Sequence, residues 1–150
     1  MIADLKRILL VEDNPNDLEL TLAALQAHRV ANEVVVARDG AEALDYLFRR
    51  GPFADRPVAP PALVLLDLKM PKVDGLEVLR QIKADTQLRL IPVVMLTSSR
   101  EEADLIRSYE LGVNAYVVKP VDFTEFMEAV RQLGAFWAVL NEVPPLASRT

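Results

Sequence analysis

Apolar residues fall along the chain in two alternating rhythms. Short, near-continuous runs rich in β-branched residues appear at Arg7 to Val11, Glu33 to Ala37, Leu63 to Asp67, in "IPVVMLTSS" and in "AYVVKP". Between them lie longer stretches with apolar positions three and four apart, the spacing of one helix face. In "NPNDLELTLAALQAHRV", Leu18, Leu22 and Leu25 form such a face and Pro15 suits the start of the helix. "AEALDYLFRR" turns Ala43, Leu44, Leu47 and Phe48 inward, after a turn at Asp39-Gly40 that closes the second strand. Leu76, Leu79 and Ile82 stripe the helix from Leu76 to Lys83, with Asp74 before Gly75 as its cap or turn residue. "EEADLIRSYELG" is a helix stopped by Gly112, and "DFTEFMEAVRQLGAFWAVLNEV" is a long last helix.

Strand and helix therefore alternate five times. Runs apolar on both sides are what a parallel sheet requires when helices cover both its faces. "GPFADRPVAPP", with its prolines and a glycine, interrupts the alternation and reads as a loop. The expectation is one α/β domain, a five-stranded doubly wound sandwich.

The totals narrow the function. With 150 residues, 51% hydrophobic and 26% charged, the chain has the size and composition of a single globular domain. A net charge of −5 argues against general nucleic-acid binding, which needs a basic surface. There is no cysteine for disulfide or thiolate chemistry, and a single histidine, His28, cannot build a histidine-rich zinc site. No apolar run reaches membrane-spanning length and the N-terminus does not read as a signal peptide, so a cytoplasmic protein with no membrane partner is expected.

Ligands of open parallel sheets bind beyond the carboxyl ends of the strands. At those ends stand Glu12 and Asp13, Asp67, Thr97 and Lys119. Three carboxylates gathered together call for a cation, and an all-oxygen set suits a hard ion such as Mg²⁺. A metal with a lysine and a hydroxyl opposite can neutralise a transferring phosphoryl group, and a carboxylate can become an aspartyl phosphate. Asp67, held at the rim by a rigid central strand, is the natural nucleophile.

"LLVEDN", "LVLLDLKMPKVDGLEVLRQIK", "VVMLTS" and "AYVVKP" resemble the receiver domain of two-component response regulators over roughly residues 5 to 140. That resemblance implies a flavodoxin-like fold with strand order 2-1-3-4-5. It puts Asp67 on the phosphoacceptor, Glu12 and Asp13 on the acidic metal pair, and the Lys69 backbone carbonyl on a further Mg²⁺ ligand. It puts Thr97 on the switch hydroxyl, Tyr116 on the switch aromatic, and Lys119 on the lysine before a cis-proline, here Pro120. A receiver is not an enzyme in the usual sense; it is a signalling phosphoacceptor with only intrinsic autophosphotransfer and autodephosphorylation. A haloacid-dehalogenase phosphatase would need an acid two residues beyond its nucleophile, where this chain has Lys69, and no glycine-rich phosphate loop supports a nucleotide-binding flavodoxin-like domain.

The proline-rich loop lengthens the interval before the phosphoacceptor by on the order of ten residues, a loop-sized change. With the extended last helix, it resembles single-domain regulators paired with phytochrome kinases. The implied partner is a histidine kinase of phytochrome type. Residues 141–150 are expected to be a tail, with no output domain following. Output then lies in association, or in relay of the phosphoryl group to a histidine phosphotransfer protein. Phe136, Val139 and Val143 form a second apolar stripe on the last helix, the expected interface of a homodimer.

Overall fold

The computed structural model describes residues 7–27, 33–56, 59–70, 72–98 and 101–119, together with 124 and 128. Five strands, β1 (Arg7–Val11), β2 (Glu33–Ala37), β3 (Leu63–Leu66), β4 (Val93–Thr97) and β5 (Ala115–Val118), alternate with α1 (Pro15–Ala27), α2 (Gly40–Leu47), α3 (Gly75–Ala84) and α4 (Glu102–Glu110). All strand pairs are parallel, in the order β2-β1-β3-β4-β5. Thr124 and Glu128 are helical and exposed, and the rest of the expected last helix and tail lies outside the described residues. The homodimer residues Phe136, Val139 and Val143, and Pro120, lie outside the described residues.

The continuous apolar runs are explained by two cores, one on each side of the sheet. Leu9, Val11, Val64, Leu66, Val93 and Met95 join Leu44 and Leu47 of α2 and Val78, Leu79 and Ile82 of α3. Their alternate neighbours Ile8, Leu10, Leu63, Leu65, Val94 and Leu96 pack with Leu18 and Leu25 of α1. Because side chains alternate faces along a strand, a strand covered on both sides has no position for a polar residue before its end.

Several local expectations change. Asp39 and Gly40 do not simply close β2. Asp39 is the N-cap of α2, accepting from the Glu42 amide at 2.7 Å, and Gly40 opens the helix. A Cβ on Gly40 would stand 1.9 Å from the Val73 carbonyl oxygen, so only glycine lets the two backbones approach there. Phe48, the C-cap of α2, is half-buried and packs against the same core as Ala43, Leu44 and Leu47, and Tyr46, not expected there, is buried as well.

The proline-rich loop carries a 3₁₀ turn at Gly51–Phe53 and is tied down by Arg56. Its guanidinium donates to the carbonyls of Tyr46 (2.6 Å), Leu47 (3.2 Å) and Ala59 (3.3 Å) and lies 4.4 Å from the Tyr46 ring centroid. The first two carbonyls belong to the last turn of α2, where the Tyr46 carbonyl also accepts from the Arg49 amide at 3.2 Å.

Candidate functional site at the carboxyl edge of the sheet

The backbone ladder continues past the strands into the residues that carry chemistry. The Glu12 amide donates to the Ala37 carbonyl at 3.0 Å, that of Asp67 to Val11 at 3.0 Å, and that of Lys119 to Thr97 at 2.7 Å. Leu66 is in register with Met95, which sets Asp67 and Thr97 at adjacent strand ends. The rim residues are thus fixed by the sheet rather than carried on free loops. Glu12, Asp67, Thr97 and Lys119 are all buried, and Asp13 is exposed.

Carboxylate oxygens of Glu12, Asp13 and Asp67 lie within 4.8 Å of one another. The donor set is all oxygen, which fits a hard divalent cation such as Mg²⁺ and offers nothing to a soft one. Asp67 Oδ1 accepts from the Leu68 amide at 2.8 Å, and Glu12 Oε2 from the Asn14 amide at 3.2 Å. These local bonds hold both carboxylates with other lone pairs to spare. The Gly75 amide donates to the Leu68 carbonyl at 2.7 Å, folding the β3–α3 loop back beneath Asp67. Asp74 caps α3 as expected, accepting from the Glu77 amide at 2.9 Å.

Lys119 spans the cluster. Its Nζ lies 2.7 Å from Glu12 Oε1, 2.8 Å from Asp17 Oδ2 and 3.7 Å from Asp67 Oδ2. Burial pushes the Glu12 carboxyl up to about 7, and the negative charge of Asp67 adds to the effect while the Lys119 ammonium opposes it. Desolvation works to lower the Lys119 pKa, but its hydrogen bonds to Asp17 and Glu12 outweigh it, and the value is raised. The ammonium stays charged among the acids.

The structure therefore gathers Glu12, Asp13, Asp67 and Lys119 at one edge and sets Thr97 beside them. Tyr116, opposite Met95 on β5, is half-buried and packs against the core on the α2–α3 side. The Lys69 side chain points toward α4, with Nζ 3.6 Å from Asp104. Asp17 was missed by the sequence reading. Its only signal is an acid one turn into α1, four residues after Asp13.

Over residues 8–131 the sequence matches the response regulator receiver domain. The chain belongs to that family. It is 42% identical over 139 residues to the response regulator Rcp1 of Synechocystis sp., covering 93% of each protein. A crystal structure of the phosphorylated cyanobacterial phytochrome response regulator RcpA superposes with a TM-score of 0.88 at 42% identity, covering 94% of this chain and 99% of that one. The Mn²⁺-bound form of Rcp1 gives 0.86 at 40%, covering 93% and 99%. The bacteriophytochrome response regulator AtBRR gives 0.75 at 68%, covering 93% and 100%. The receiver fold is flavodoxin-like.

Proposed function

We propose that this receiver accepts a phosphoryl group on Asp67 from the phosphohistidine of a partner kinase, with Mg²⁺ held by Glu12, Asp13, Asp67 and the Lys69 backbone carbonyl. A carboxylate oxygen of Asp67 attacks phosphorus, the phosphorus–nitrogen bond to the donor imidazole breaks, and an acyl phosphate forms. The metal supplies charge neutralisation for the phosphoryl oxygens. Lys119 pairs with one phosphoryl oxygen and Thr97 with another, and Tyr116 follows Thr97 to carry the change to the surface.

The observation that carries this reading is the meeting of Glu12, Asp13 and Asp67 with the Lys119 ammonium at the sheet's edge. The names of the phytochrome-associated relatives support a kinase of phytochrome type as donor. A homodimer through Phe136, Val139 and Val143 belongs to the same reading and rests on their apolar spacing.

The test is phosphotransfer from autophosphorylated kinase, and separately from acetyl phosphate, to wild type and Asp67→Asn. Transfer should require Mg²⁺ and vanish in the variant. Acid-labile label retained by Asp67→Asn, or full labelling under excess chelator, refutes it.

A further inference from the structure

An ammonium has three N–H donors. On Lys119, Glu12 Oε1 at 2.7 Å and Asp17 Oδ2 at 2.8 Å engage two of them. The nearest remaining carboxylate oxygen, Asp67 Oδ2, is 3.7 Å away, beyond a hydrogen bond but within the range of a group attached to that carboxylate.

Asp17 is itself firmly mounted. Asn14 Oδ1 accepts from the amides of Asn16 (2.9 Å) and Asp17 (3.0 Å), and the Thr21 hydroxyl donates to the Asp17 carbonyl at 2.8 Å. Its carboxylate lies in the first turn of α1, where the helix dipole favours negative charge. The side chain is one-third exposed, so solvent alone could satisfy it. Its bond to Lys119 links α1 to β5, 102 positions apart.

We propose that Asp17 is the positioning residue for Lys119: together with Glu12 it fixes two N–H groups of the ammonium and leaves the third for a phosphoryl oxygen on Asp67. Lysine has a long flexible stem, and a point charge with one anchor can swing; two anchors on different elements fix its direction. Glu12 cannot do this alone, since it is also a member of the acidic metal cluster. The inference deepens the reading of Asp67 as phosphoacceptor and rests on it.

The test uses the full chain with Mg²⁺ and phosphoramidate, a small donor that removes kinase docking from the comparison. Initial rates of phosphoprotein formation are read by intact mass, and the Lys119 ammonium by ¹⁵N NMR, assigned with Lys119→Arg. Asp17→Ala should slow phosphorylation about tenfold, the lower end for one lost hydrogen bond to a charged group, and should broaden or shift the Lys119 signal. Asp17→Asn keeps an acceptor oxygen in place and should stay within about twofold of wild type on the same scale. Asp17→Ser, with a shorter reach, replaces the alanine variant if that one does not fold, with the same expectation. An unchanged rate in Asp17→Ala overturns the inference, as does a slower rate with an unaltered Lys119 signal. If wild type itself acquires no phosphoryl group at Asp67, the reading of Asp67 fails first, so the two failures are distinct.

Discussion

Lys119 and Glu12, 107 positions apart in sequence, form a buried ion pair of 2.7 Å across two intervening strands of the sheet. Removing one partner of such a pair leaves the other charge buried and uncompensated. Lys119→Met should therefore cost about 3 kcal/mol in metal-free protein at mildly alkaline pH, measured by urea denaturation. Adding Glu12→Gln should recover much of that loss, because both charges are then gone. A double variant as unstable as the single one would show that Lys119 stabilises mainly through Asp17 and Asp67.

The raised Glu12 pKa predicts a pH dependence of unusual sign for a carboxylate. Its ordinary value is 4.5 and its folded value about 7, so between those limits the folded state holds a proton that the unfolded state has lost. The contribution to stability is complete below 4.5 and disappears as pH rises through about 7. Metal-free protein should thus show a urea midpoint that falls from about pH 5.5 to about pH 8. A divalent cation binds the ionised carboxylates and stabilises the state that holds it, so Mg²⁺ should raise Tm more at the alkaline end. Equal Mg²⁺-induced shifts at both pH values would count against Glu12 as a ligand.

The rim of the site was legible in the sequence because each strand is covered on both faces. Where Leu63 to Leu66 give way to Asp67, or Val117 and Val118 to Lys119, the first polar residue marks the strand's end. Strand order followed from family resemblance rather than from the pattern. Asp17 was not legible, because an acid in a first helical turn has an ordinary role with the dipole, and only the folded chain brings it to Lys119. The N-cap role of Asp39, at a helix end, was not legible either. There a close backbone approach and a cap, neither of which leaves a periodic trace, decided the outcome.

The proline-rich loop hides the same kind of contact. Arg56 lies within a stretch that reads as irregular, yet its planar guanidinium bonds three carbonyls and stacks on Tyr46. Arg56→Lys keeps the charge but not the fork, so it should lose about 1–2 kcal/mol, with Arg56→Ala at least as costly. Phosphorylation rates should hold in both, since the contacts lie with the carboxyl end of α2 and away from the acidic cluster. Proteolysis at 51–61 that is no faster in Arg56→Ala than in wild type would show the loop is held by something else.

Gly75 offers the sharpest test of how the site is mounted. A Cβ there would sit 2.2 Å from the Asp67 carbonyl oxygen and 2.8 Å from the Leu68 Cα. Both are backbone atoms, so no side chain can swing aside; either α3 or the Asp67 loop must move. The Gly75 amide also donates to the Leu68 carbonyl at 2.7 Å, so a displaced helix start strains the bond that folds this loop. Gly75→Ala should therefore destabilise by about 3 kcal/mol, although alanine is ordinarily the better helix former. Phosphoryl acceptance should fall with it, measured at a temperature where the variant remains folded, because Asp67 is carried on the displaced segment. Glu77→Ala, an outward change on the same helix, serves as the control and should alter acceptance little. A folded Gly75→Ala protein with wild-type stability and acceptance would mean that the close approach of α3 to Asp67 has no part in mounting the site.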